Sequence, residues 1–363
     1  MILAFKITYI IQIQSELQQK IAEEVQGKSV VIGFDGWKNT VTKDKHVCVL
    51  AFEISSNRKP FFIKSAVVQD QCSDTLCNIL NEAIEEIEKL NANVVGIIAD
   101  NAPNCHSAIG KIVEMKSSIC SLRCGAHLMN LILRKSIEQY SPLIKANEVL
   151  QKAIKNGMIS RFCDTRWNSR FDKMKELATT QDVHEEDVTI LNNAVNLLFP
   201  IVNLLNKCQS DNFEWGSFSK KYQQLKNEFT LSECSTIVKI FDYYQKWAKN
   251  NVTALLSLID GLEIEGSEAE EAIRWVGNIS EKIKGEFEER HLKIIMGQQS
   301  PPNNTLKLFK AHFLEKFPTS EAAVERCFSR HKLVHGSGGL RAARFPDDPR
   351  RNPGDGFAGR DFL

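Results

Sequence analysis

The sequence predicts an α/β protein: a mixed five-stranded sheet in the first part of the chain, an all-α insertion, and a C-terminal helix that returns to the sheet. Three observations carry this expectation. Apolar, β-branched runs and helical patterns follow one another as β-β-β-α-β-α-β-α up to about residue 138. Two of the strand-like runs end in an aspartate, Asp35 and Asp100. From about residue 140 to 300 only helical patterns of comparable strength occur.

Residues 15–26 read as a short amphipathic helix. SVVIGFD (29–35), KHVCVLAFEI (45–54) and KPFFIKSAVV (59–68) read as strands, and the turn-like links 39–44 and 55–58 make them an antiparallel meander. Residues 73–91 form a helix that Ser73 or Asp74 can cap, with Leu76, Ile79, Leu80, Ile84, Ile87 and Leu90 at helical spacing. NVVGIIAD (93–100) is a buried strand, 101–115 a helix, SSICSLRC (117–124) a short strand and 125–137 another helix. This is the RNase H-like order, which sets the fourth strand beside the first. Residues 185–208, 217–230, 234–260 and 268–295 favour helix; QQSPPNN (298–304) breaks the pattern before a last helix over 305–332. The expected organisation is an N-terminal helix (1–27), the first part of the core (28–138), a helical insertion (139–300), a C-terminal core and dimerisation helix (301–334) and a Gly/Pro/Arg-rich tail (335–363) with too little apolar surface to fold.

Length and composition agree with two or three such units: 363 residues, 43% hydrophobic, 25% charged. Lys and Arg total 46 against 45 Asp and Glu, so any nucleic-acid-binding surface has to be local. The ten cysteines are scattered through apolar segments and form no dense framework, which favours a reducing compartment, the cytosol or nucleus. The opening MILAFKITYIIQIQ is interrupted by Lys6, Gln12 and Gln14 and followed by no small-residue cleavage site, so neither a signal peptide nor a membrane partner is expected. No run was expected to reach the roughly 18 apolar residues that a transmembrane helix needs.

Asp35 and Asp100 are placed where phosphoryl transfer on nucleic acid needs carboxylates. Two divalent metals about 3.5–4 Å apart activate the attacking oxygen and steady the leaving one. Mg²⁺ takes hard oxygen ligands and keeps waters, so a few carboxylates on rigid elements suffice. The bland alternative is that an acid after a strand is a turn residue; Asp100, followed by NAPN, then merely caps the next helix.

Five blocks tip the balance: FDGW (34–37), ADNAPN (99–104), CGAHLMNLI (124–132), DTRWNSR (164–170) and EAAVERCFS (321–329). Their order resembles that of hAT-superfamily DNA transposases, the RNase H-fold group that often carries an upstream BED-type zinc finger. The resemblance runs from about residue 28 to about 332. It implies that Asp35, Asp100 and Glu325 form a metal-binding acidic triad, with Glu325 delivered by a C-terminal helix, and that Mg²⁺ or Mn²⁺ is the cofactor of a DDE-type polynucleotidyl transferase. It also implies DNA as partner, homo-oligomers formed in part by the C-terminal segment, and a nuclear location. Trp167 would stabilise a flipped base, with Arg166 and Arg170 gripping phosphates and His127 near DNA or a carboxylate.

Bland readings stand beside these. Trp167 is equally a core tryptophan covered by Arg stems, and Trp37 is expected to be structural. Cys120, Cys124 and His127 imitate half a zinc site, which Cys105 and His106 could complete only if the fold brought them close. Lys38, Lys43 and Lys45 could track a phosphate backbone or simply face solvent. The apolar stripes at 190–205 and 236–257 are expected to be core. The chain is also expected to be a truncated product: no BED finger stands upstream, the insertion is short, and the tail replaces the dimerisation helices after Ser329. The competing expectation is a non-catalytic, transposon-derived nucleic-acid-binding or dimerisation protein.

Overall fold

The computed structural model describes residues 19–38, 43–54, 60–162, 168–181, 183–210, 213–298, 300–320 and 323–324. A helical turn over 19–25 (α1) leads into β1 (Ser29–Lys38), β2 (Lys45–Glu53) and β3 (Pro60–Val68). Then come α2 (Ser73–Lys89), β4 (Asn93–Ala99), α3 (Pro103–Met115), β5 (Cys120–Arg123) and α4 (Gly125–Gln139). The sheet is mixed, with strand order β3-β2-β1-β4-β5. The meander β1–β2–β3 is antiparallel; β4 pairs parallel to β1, and β5 parallel to β4. The expected placement of the fourth strand beside the first is thus what forms.

β1 shows why the sheet is sandwiched. Val30, Ile32 and Phe34 face a cluster made with α2 and α3 through Leu80, Ile84, Ala108 and Ile109. The alternate residue Val31 joins Ile98 and Leu122 in a second, larger cluster with the helices that follow the sheet. Because both faces are covered, β1 and β4 read as continuous apolar runs instead of alternating ones.

Those helices are α5 (Ser141–Lys155), α6 (Ser169–Ala178), α7 (Glu185–Cys208), α8 (Trp215–Leu231), α9 (Ser235–Ala248), α10 (Asn251–Ile259), α11 (Gly266–Gly277), α12 (Glu281–Ile295) and α13 (Asn304–His312). The expected single helix 234–260 is two. At the break, Asn250 accepts from the Thr253 amide and the Thr253 hydroxyl from the Asn250 amide, a reciprocal capping box that restarts the helix. The expected 268–295 helix likewise breaks before Ser280, which caps α12. α7 corrects another expectation: with mean hydropathy 1.6 over its best window, it is long and apolar enough to cross a membrane. Leu191, Ala194, Leu198, Ile201 and Leu205 on it are, however, buried in the shared core, as the 190–205 stripe predicts.

The expected helix 305–332 is also corrected. α13 stops at His312, one 3-10 turn follows, and Phe317 is extended. Pro318 accounts for this, since proline pushes its predecessor out of helical geometry. The freed carbonyls are used elsewhere: Phe317 O accepts from Trp215 N, and Thr319 O from Gly125 N at 2.7 Å. The Phe317 ring lies so close to β4 that a Cβ on Gly96 would stand 3.2 Å from it. The chain therefore does return to the sheet: it is extended at Phe317, Ala323 and Val324 are helical, and residues 325–332 of the expected helix lie outside the described residues.

Candidate active site at the carboxyl ends of the parallel strands

Strand pairing places the two aspartates. Gly33 is the last β1 residue opposite β4, paired with Ile98. Continuing that register by two residues sets Asp35 level with Asp100, and adjacent strands lie about 4.8 Å apart. Side-chain alternation puts Asp35 on the face of Val31 and Gly33, the side covered by the helical block, and continuing the alternation of β4 past its last residue, Ala99, would set Asp100 on the same side as Ile98. The expectation that Asp35 ends its strand is corrected. β1 runs three residues further, paired to β2, with Asp35 opposite Cys48.

Each carboxylate is anchored locally. Asp35 Oδ1 accepts from Gly36 N at 2.7 Å, and Asp100 Oδ1 from Ala102 N at 2.9 Å. The second bond is a turn closure ahead of α3 and not the helix cap itself, which falls at Ala102. Both aspartates are only half-buried. Gly36 leaves room for Gln71: a Cβ there would stand 2.4 Å from Gln71 Nε2, which donates to His46 O at 3.0 Å while Gln71 O accepts from Asn104. Trp37 stacks on His46 across the ladder, ring centroids 4.2 Å apart, and packs against Cys48, Leu50 and Phe52, consistent with a structural role.

Glu325, Arg166 and Trp167 lie outside the described residues. The neighbours of Glu325 do not: Ala323 and Val324 are buried against Cys48, Leu50 and Phe52. Those are the β2 residues on the aspartates' face of the sheet, and Cys48 is the cross-strand partner of Asp35.

His127, in the first turn of α4, feels the charge of Asp100. Burial pulls its pKa down, Asp100 opposes that, and Arg134 adds to it. His106 in α3 is pulled down to about 4, by burial first and by the Arg123 charge second, against Asp100. Asp100 thus sits between the first turns of α3 and α4, beside two imidazoles that are neutral at neutral pH. Further along α4, Asn130 and Arg134 line a shallow groove with Phe162, Asn168, Ser169 and Arg170. The Arg170 guanidinium lies 4.8 Å from the Phe162 ring centroid. The structure therefore brings His127 and Arg170 to one helix leading away from Asp100, and adds Asn130 and Arg134, which sequence reasoning missed. Their helical spacing from His127 was the available signal.

The zinc alternative finds no geometry. Cys124 Sγ accepts from the His127 amide as the N-cap of α4 and contacts Ser320 Oγ. Cys120 and Cys124 belong to one face of the sheet, Cys105 to the other. Among the described residues no three His, Cys, Asp or Glu side chains gather as a metal site. Lys38 and Lys45, paired opposite each other, stand on the face away from Asp35, since Trp37 and Asp35 share the other.

A family model described as "Domain of unknown function (DUF659)" matches residues 10–155. The matched segment covers less than half of the chain and contains Asp35, Asp100 and His127. No curated protein matches the chain. Among solved structures, one match is a Drosophila P element transposase strand transfer complex, at 11% identity over 85% of this chain and 66% of that one, just under two thirds of its length. Its TM-score of 0.25 marks no common overall arrangement and gives the likeness no weight for activity.

Proposed function

We propose that this chain is a transposase-derived protein of the hAT type with an RNase H-like core, whose Asp35, Asp100 and Glu325 hold Mg²⁺ or Mn²⁺ for DNA strand cleavage and transfer. The observation that carries the reading is the pair of aspartates, Asp35 in β1 and Asp100 directly after β4, at the same end of two adjacent parallel strands. The DUF659 match over the same segment supports it. Glu325 is supported by the burial of Ala323 and Val324 on β2 beside Asp35.

The donor set fits hard divalent cations: carboxylate oxygens in and directly after rigid strands, beside a buried amide oxygen with no partner among the described residues, Asn101 Oδ1. Bound there, the metals would polarise the scissile phosphate and activate the attacking water or 3′ hydroxyl. Gly36 N and Ala102 N fix the carboxylates through one oxygen each. His127, neutral and beside Asp100, can orient a phosphate oxygen or a water without adding charge. Arg170 and Arg134 then hold the DNA flank along α4, with Trp167 stacking on an unpaired base. A nuclear, self-associating protein completes the proposal.

The test is nicking of supercoiled plasmid by the full chain in Mg²⁺ or Mn²⁺. Asp35→Ala, Asp100→Ala and Glu325→Ala each abolish nicking, and EDTA does the same. Activity that survives Asp100→Ala refutes the site. DNA binding without any cleavage by the wild type decides for the non-catalytic alternative.

A further inference from the structure

Arg123 is the last residue of β5 and pairs with Ala99, so its backbone stands one residue short of the level of Asp100. Its guanidinium lies 5.1 Å from the ring centroid of Trp247 on α9. It is half-buried, and burial lowers its pKa. Among the described residues no carboxylate or carbonyl is bonded to it; the ring is its one identified partner. A guanidinium taken partly out of water without an anion is costly, and stacking on an aromatic face leaves its planar N–H fork open for bidentate contacts. It belongs to a group of polar side chains left unsatisfied at the same end of the sheet. His106, close enough to feel both Arg123 and Asp100, has a buried Nε2 with no partner. Asn101, next to Asp100, has both amide atoms buried without a partner. Buried polar atoms rarely go unpaired, and several together call for a polar ligand. The surface continues outward along α9: Lys239, Tyr243 and Trp247 recur at i, i+4, i+8, and Lys246 lies 4.7 Å over the exposed Tyr243 ring.

We propose that Arg123, held over Trp247, is an anchor for a backbone phosphate of the DNA strand that leaves the acidic site along α9. This rests on the reading of the protein as DNA-binding and adds a second exit, distinct from the α4 groove of Arg134 and Arg170. Arginine suits the position because phosphate takes two parallel N–H bonds from its fork.

The experiment measures affinity of the full chain for a short random-sequence duplex in EDTA across a salt series, for wild type, Arg123→Gln, Arg123→Lys and Trp247→Leu, with melting temperatures taken alongside. Each neutralised phosphate contributes about 0.9 to the slope of log K against log salt. Arg123→Gln should bind roughly tenfold more weakly, with the slope reduced by about 0.9, at near wild-type melting temperature. Arg123→Lys should keep the slope and lose part of the affinity, and it serves in place of the glutamine variant if that one does not fold. Trp247→Leu should also keep the slope and weaken binding. If Arg123 only fastens α9 to the sheet edge, Arg123→Gln and Trp247→Leu lower the melting temperature and leave affinity and slope unchanged; that result overturns the anchor while leaving the DNA reading intact. A wild-type chain that binds no duplex at low salt refutes the DNA reading, and the anchor falls with it.

Discussion

Gly33→Ala tests how the aspartates are held. Gly33 lies two residues before Asp35, and its missing side chain is what lets Phe52 lie across β1. A Cβ there would stand 2.6 Å from Phe52 Cε2, 3.4 Å from Cζ and 3.5 Å from Ile98 Cγ2. Carbon atoms settle at about 3.5–4.0 Å, so the ring has to shift by roughly an ångström. It cannot do so privately, because Phe52 is part of the wall on which Ala323 and Val324 are buried. Overpacking of this kind costs about 1–3 kcal/mol. With an unfolding entropy near 2 cal/mol/K per residue, a chain of 363 residues should melt about 1–4 °C lower. Differential scanning fluorimetry reads that loss, and hydrogen exchange of peptides covering Ala323 and Val324 reads the loosened wall. Adding Phe52→Leu removes the clashing ring edge, so the double variant should recover part of the loss relative to the sum of the single changes. The reasoning fails if Gly33→Ala melts and exchanges like wild type, or if the two substitutions simply add.

The remaining predictions address the surroundings. The folded pKa of His106, about 4, lies below its ordinary 6.5, so the unfolded chain takes up the proton more readily between those values; the contribution to stability is complete above pH 6.5 and is lost as pH falls toward 4. Allowing for solvent screening of a half-exposed group, wild type minus His106→Asn should lose about 1–2 kcal/mol of stability difference across that window in urea titrations; a pH-independent difference contradicts it. Cys124→Ala should cost about 1 kcal/mol through the lost cap on His127 N while Cys124→Ser retains most of it, and zinc should not raise the melting temperature of either protein. Arg290, buried and donating to Leu258 O and Ile259 O at the end of α10, should on replacement by methionine leave Ile259 O without this donor and Leu258 O with only the Gly261 amide, and lose about 1–3 kcal/mol in urea unfolding.

How much of this was legible in the sequence depends on the range over which each signal acts. The sheet order was readable because β-branched runs separated by short links can only meander, and because Ile97 and Ile98 mark a strand apolar on both faces. The helical periods of α2 and α7 were equally plain. Helix ends were not: the break at Asn250 depends on a side-chain bond to Thr253 that periodicity across Ile240 and Leu255 conceals. The stop before Pro318 was visible in principle, yet Leu314 and Phe317 kept a helical spacing that tertiary contacts with Trp215 and Gly125 overrode.

The juxtaposition of Asp35 and Asp100 was legible in the sequence, and the Arg123–Trp247 contact was not. Asp35 and Asp100 could be found because a strand's end is a local feature and parallel pairing converts it into proximity. Arg123 could not, because nothing near it in sequence indicates that Trp247, more than a hundred residues later, will lie under its guanidinium. The same asymmetry bears on Glu325. Its block names it, while its delivery depends on Ala323 and Val324 finding Cys48, Leu50 and Phe52, a contact between segments almost three hundred residues apart. On the proposed function, catalysis would rest on this small apolar cluster. Val324→Asp should abolish metal-dependent nicking while leaving DNA affinity in EDTA at the wild-type level, because in the proposed site binding would draw on Arg123, Arg134 and Arg170 and cutting on the third carboxylate. If Val324→Asp nicks DNA as well as wild type does, Glu325 is not delivered by this contact, and Asp35 and Asp100 must act without it.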